Sequence, residues 1–229
     1  MPYIRRRRRR RRRRYFRRRR RNYRRKRRSY NRNVSIRRMP PIFPDAVRVP
    51  LKTSALIQPA NVAGGFTYTV RINDPNAPGT NLGQPLGYDQ WSVFYQRCFC
   101  YGSRIHIKIL LSASEPGEVV MYPSNVIAAA STLDQAKEQP YSKYTAYGSV
   151  NSNMGSMYAY LKNKMTMRKI VGRPLQGVNY EALTGSSPAR VAYWNLFGEV
   201  LDGSVNQLYL RVTVTYWCRF YQRITLDES

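Results

Sequence analysis

The sequence predicts an all-β domain, an eight-stranded antiparallel jelly roll with long loops, carried behind an arginine-rich arm too repulsive to fold by itself. Three features lead there. Runs of β-branched and aromatic residues recur between clusters of Gly, Pro and Asn, and the helical signals among them are brief. No strand–helix–strand alternation builds a parallel sheet. Charge then splits the chain into two physical objects: residues 1–38 hold 23 of the 40 basic side chains and none of the 12 acidic ones, leaving a near-ordinary 17 against 12 for the rest. We therefore expect an arm with its connector over 1–44 and one domain over 45–229, long enough to bury a core.

The elements follow in chain order. In "SIRRMPPIFPDAVRVP", Pro40, Pro41, Pro44 and Pro50 make an extended connector. "VRVPLKTSALI" (47–57) and "FTYTVRI" (66–72) predict strands, and "NDPNAPGTNLGQPLG" (73–87) a long loop. Trp91, Phe94 and Tyr95 are spaced for one short helical face within 88–97, with Asp89 placed to cap it. "RIHIKILL" (104–111) alternates: Ile105, Ile107, Ile109 and Leu111 on one face, Arg104, His106 and Lys108 on the other. "GEVVMYP" (117–123) is a short strand, and 131–140 a polar helix capped by Ser131 or Thr132 and ended before Pro140. "KMTMRKIVG" (164–172) and "ARVAYWNLFGEVL" (189–201) predict strands. The longest β signal is 205–226, with Leu208, Leu210, Val212, Val214, Tyr216, Cys218 and Phe220 on one face and Tyr209, Arg211, Thr213, Thr215, Trp217, Arg219 and Tyr221 on the other. A strand so long and apolar needs partners on both sides.

In the arm, all the cations but Lys26 are arginines: Arg5, Arg6, Arg7, Arg8, Arg9, Arg10, Arg11, Arg12, Arg13 and Arg14, then Arg17, Arg18, Arg19, Arg20 and Arg21, then Arg24, Arg25, Arg27 and Arg28, with three more before residue 39. Guanidinium grips phosphate through paired donors and stacks on flat rings. Tyr3, Tyr15, Phe16, Tyr23 and Tyr30 stand among these charges, where they can stack on unpaired bases without regard to sequence. The arm is thus expected to bind single-stranded nucleic acid. Arg24, Arg25, Lys26, Arg27 and Arg28 also form a nuclear import signal, but import alone does not require more than twenty cations. A membrane-active or heparin-binding arm fits the charge, yet no apolar stripe accompanies it.

Three cysteines (Cys98, Cys100, Cys218) and one histidine are too few for a disulfide framework, and C-x-C is not the usual zinc spacing. Cys98, Cys100 and His106 share strand parity if no bulge intervenes, so a metal site completed by Cys218 is conceivable; buried free thiols are the plainer reading. His106 suits a solvent-facing or interface position better than a catalytic one. There is no G-x-x-x-x-G-K-[ST] loop, no H-x-H or H-E-x-x-H pair and no G-x-S-x-G elbow. The expected protein is not an enzyme and takes no cofactor or metal. No run of about 18 apolar residues offers a membrane span, and no signal peptide is apparent; a soluble protein made in a reducing compartment is expected.

Four stretches in order resemble the capsid proteins of circovirus-like viruses, whose circular single-stranded DNA genomes encode a replication protein. They are the arginine-rich arm, "FTYTVRINDPNAPG" (66–79), "YDQWSVFYQRCFCYGSRIHIKI" (88–109) and "LYLRVTVTYWCRFYQ" (208–222). The resemblance implies a subunit that assembles with about sixty copies into a small icosahedral, T=1-like shell, packages a single-stranded DNA genome, and enters the host nucleus through the import machinery. Sixty arms would bring roughly 1,400 positive charges inward, enough to offset most phosphates of a genome of about one to two thousand nucleotides. Virion and host nucleus are then the expected locations, without membrane insertion. The basic face of Arg104 and Lys108 suits either nucleic acid inside such a shell or a sulfated cell-surface glycan outside it. The competing reading is a non-assembling protein that condenses or chaperones nucleic acid.

Overall fold

The computed structural model describes residues 44–59, 61–62, 65–111, 116–127, 130–148, 158–172, 179–200 and 208–224. All but Pro44 belong to one compact unit, residues 45–229. Its strands among the described residues are β1 (Ala46–Ile57), β2 (Asn61–Val62), β3 (Gly65–Arg71), β4 (Tyr95–Leu111), β5 (Gly117–Ser124), β6 (Lys143–Tyr147), β7 (Tyr158–Thr166), β8 (Glu181–Leu183), β9 (Tyr193–Val200) and β10 (Leu208–Arg223). They form two sheets, β1-β10-β4-β7 with β8 along the start of β4, and β2-β3-β9-β5-β6. Without the short β2 and β8, eight strands pair as a nested antiparallel ribbon: first with last (β1–β10), then β3–β9, β4–β7 and β5–β6. Rolled so that β10 also meets β4 and β9 meets β5, this ribbon is the jelly roll expected from the sequence.

Alternation decides which residues fill the space between the sheets. Ile105, Ile107 and Ile109 of β4 face Leu210, Val212, Val214 and Tyr216 of β10 along one wall, and Val70, Trp194, Leu196, Val119 and Met121 supply the other; all are essentially inaccessible. Two hydrogen bonds clasp the walls: Trp194 Nε1 donates to Ser103 Oγ at 2.9 Å, and the Tyr216 hydroxyl donates to the Arg71 carbonyl at 2.9 Å. Each satisfies a polar atom that would otherwise be costly to bury. Pro50, which cannot donate to a ladder, lies in β1 at the rim of its sheet.

The loop after β3 is held by its own Asn and Asp. Asp74, fully buried, pairs with Arg71 at 2.6 Å and accepts from the amides of Asn76 and Ala77. Asn73 accepts from the Ala192 amide and donates to the Arg190 carbonyl, both at 2.9 Å. These bonds tie the loop to the entry of β9.

Several boundaries differ from expectation. The helix expected over 88–97 is a single turn, α1 (Tyr88–Ser92), entered through Gly87 at φ 92°, with Asp89 in its first turn rather than capping it. Tyr95 already belongs to β4, opposite Arg223, and its ring packs with Trp91 and Phe220. Helix α2 (Leu133–Glu138) matches expectation, with Thr132 Oγ1 accepting from the Gln135 amide. The strand expected over 164–172 ends at Thr166 and turns into α3 (Met167–Val171), which Gly172 stops at φ 80°. Here the buried Met167 anchors one helical turn that β-branched neighbours disguise in sequence. The strand expected from 189 starts at Tyr193, because the backbone before it bonds to Asn179 and Asn73 instead of a ladder. Strands β6 and β8 and the first half of β7 lie outside the strands expected from the sequence. No helix among the described residues is long and apolar enough to cross a membrane.

Candidate nucleic-acid interface

A bulge determines where the polar residues of β4 point. Cys100 lies opposite Cys218 and Gly102 opposite Trp217, so Tyr101 is one residue too many and side-chain parity inverts after it. Before the bulge Cys98 and Cys100 face the core; after it Ser103, Ile105, Ile107 and Ile109 do. Gly102 is required at the crossing: a Cβ there would strike the Met165 carbonyl oxygen and Thr166 Cα of β7. The conceivable Cys98/Cys100/His106/Cys218 metal set is therefore pulled apart, with three buried free thiols inside and His106 on the opposite face. Hydrogen bonding from Cys100 and Cys98, added to burial, pushes the Cys218 thiol well up. Among the described residues no group of three His, Cys, Asp or Glu side chains could hold a metal.

The outer faces of the two sheets differ in charge. On the β2-β3-β9-β5-β6 sheet, Glu118 lies opposite Glu199 and is bridged by Lys137 of α2 at 2.7 Å. Val120, Tyr122, Ala130 and Ala136 form a small second core beneath that helix. On the β1-β10-β4-β7 sheet the outer side chains form a cationic grid. One row across the strands runs Lys52, Thr215, Arg104, Lys164; the next Ser54, Thr213, His106, Lys162; the next Leu56, Arg211, Lys108, Tyr160; and Arg48 lies opposite Arg219 beyond. Neighbouring strands lie about 4.8 Å apart and successive rows about 6.8 Å.

Three directly opposed pairs have like charge: Arg48 with Arg219, Arg104 with Lys164, and Lys108 with Arg211. Such pairs are destabilising. Among the described residues of this sheet's strands the single acid is Glu181, at one end, 3.9 Å from Arg97. Aromatic rings relieve part of the repulsion: Lys164 Nζ stands 4.7 Å over Trp217, Arg48 5.6 Å over Tyr101 and Arg219 5.5 Å over Tyr221. Chemically, this face attracts a polyanion.

His106 sits at the centre of the grid, stacked on Tyr160 with centroids 5.8 Å apart, its Nε2 buried without a hydrogen-bond partner. Burial first, then Lys162 and Lys52, hold its pKa below the ordinary 6.5. Arg104, Lys108, Lys164 and Arg211 on the surrounding strands add the same sign. A proton that the unfolded chain binds is thus refused by the folded one, so stability is full above pH 6.5 and declines as pH falls through the lower folded value. Urea titrations between about pH 8 and 5 are expected to show this decline and His106→Gln to flatten it.

Arg104, His106 and Lys108 are where alternation placed them. Sequence reasoning missed that Arg48, Lys52, Lys162, Lys164, Arg211 and Arg219 join them; the alternation in 47–57 and 208–222 carried the signal, but only register makes those strands neighbours. The arm residues Arg5 to Arg28, with Tyr15, Phe16, Tyr23 and Tyr30, lie outside the described residues.

No protein-family model and no curated protein sequence matches this chain. Among solved structures, similar chains occur in tobacco necrosis virus (12% identity, covering 78% of this chain and 98% of that one, TM-score 0.49), in a semi-empty virus-like particle of the giant freshwater prawn Macrobrachium rosenbergii nodavirus (10%, 78% and 95%, 0.46) and in mud crab tombus-like virus (11%, 85% and 96%, 0.44).

Proposed function

We propose that this chain is the capsid subunit of a small icosahedral virus, closing a T=1-like shell of about sixty copies around a single-stranded DNA genome. The observation that carries the reading is the fusion of a complete jelly roll to an arm of 23 cations and no acid. Such an arm has too little to bury to fold unaided and releases counterions when it meets phosphate. A rolled sandwich with a basic outer face on one sheet suits a wall with that polymer on one side. The subunit has a structural role in the virion and no catalytic one. Arg24 to Arg28 direct it to the host nucleus, and circovirus-like viruses are the group proposed.

Size-exclusion chromatography with light scattering tests this. The full-length protein is expected to elute as closed particles of megadalton mass when mixed with single-stranded DNA at moderate salt. A protein that stays monomeric with single-stranded DNA at every salt concentration is a condensing or chaperone module instead, and the capsid reading fails.

A further inference from the structure

The grid on the β1-β10-β4-β7 face is more than a general attraction for anions. We propose that it is a second, folded nucleic-acid site, taking one single strand with phosphates on Arg104, Lys164, Lys108 and Arg211 and a base stacked on Tyr160. The proposal rests on the packaging reading and deepens it, because the site would hold the same polymer that the arm condenses.

Charge alone does not choose between a nucleic acid and a sulfated sugar; the rings do. Tyr160 is 50% exposed, at the end of the row that runs Leu56, Arg211, Lys108, Tyr160. One side of its ring already stacks on His106 at an interplanar angle of 24°. A base added to the other side extends a two-ring stack, and every base has the π face this requires. A sulfated sugar has none. The base must be unpaired, since a base inside a duplex shows only its edge to a protein surface.

At the opposite end of the row, Leu56 is 51% exposed beside Arg211 and offers an apolar rest for a sugar or base edge. Lys164 and Lys162 are one two-residue step apart along β7 and Arg104 and Lys108 two such steps along β4, about 6.8 and 14 Å, so phosphates of an extended strand can meet a cation in each of the three rows. The opposed pair Arg104 with Lys164 places two like charges side by side, and an anion lying between them offsets the repulsion. Binding therefore relieves a strain present in the free protein. These side chains stand on paired strands, so little backbone-ordering entropy opposes binding.

Ultraviolet cross-linking of the full-length protein to oligo(dT), followed by peptide mass mapping, tests the site. A cross-link at Tyr160 alongside those in residues 1–44 is expected. In the full-length R104S/K108S/K164S/R211S variant, the dependence of log K on log salt should become shallower by about 3, because each phosphate of a single strand left without its cation removes about 0.7 from the slope. Thermal stability of the free variant at low salt should hold or rise, which separates weakened binding from impaired folding. Cross-links confined to residues 1–44 with an unchanged slope overturn the proposal while leaving the packaging reading intact. So does a variant that keeps its oligo(dT) slope but loses heparin retention, which would assign the face to a sulfated sugar. A full-length protein that retains no oligo(dT) at all overturns both.

Discussion

A chain lacking residues 1–38 is expected to lose nucleic-acid packaging while still building empty or aberrant shells. The deletion removes 23 cations and no acid, leaving a body with 17 basic and 12 acidic side chains. If about ten of those cations contact phosphate, the arm accounts for a salt slope of about −7, worth more than a thousandfold in affinity across physiological salt. The eight cations of the sheet face retain only a weak, shallow binding component. The strands that would tile a wall lie in the separate unit 45–229, so assembly is expected to proceed without the arm. Absorbance ratios of purified particles, full-length against truncated, read the effect directly. Truncated particles as rich in nucleic acid as full-length ones would show that the arm is not the condensing element.

Trp194→Ala is expected to cost about 4 kcal/mol, toward the upper end for a single core truncation. Trp194 is fully buried in β9 and reaches across the sandwich to Ser103 of β4. Its removal opens a cavity between the sheets and leaves the Ser103 hydroxyl without its donor, two costs that add. For a body of this size the melting temperature should fall by roughly 10 °C. The comparison belongs in high salt on unassembled protein, because assembly would stabilise the folded state by mass action. Trp194→Phe, which keeps most of the volume and loses the bond, should fall in between. A loss under about 1 kcal/mol for the alanine variant would mean that Trp194 does not bridge the sheets.

The parts of this fold visible in the sequence are those where one physical rule acts alone. In β10, the fourteen residues 208–221 alternate without interruption, and the inward set is the one buried. In 164–172, β-branched Ile170 and Val171 outweigh the one signal of a turn, Gly172, so the pattern reads as a strand where the chain forms a short helix. β6 is silent in the sequence because it is an edge strand of five residues, of which only Tyr147 is buried, so alternation has nothing to register. Half of the cationic grid is hidden for a different reason. Arg104 and Lys108 are on one strand and share a face, whereas Arg104 and Lys164 become neighbours only through the register of β4 with β7. The bulge at Tyr101 has a trace in Gly102, since glycine inside an alternating strand often marks one, and it decides that thiols and histidine part company.

Division of labour between a cationic arm and a strand-built wall is the central claim, and electron micrographs of the purified full-length protein, taken before and after nuclease treatment, test it most directly. The expected images show closed, uniform particles whose dense interiors survive the nuclease, with protected single-stranded nucleic acid recovered on disruption. Irregular, nuclease-sensitive condensates containing no closed particle would contradict it.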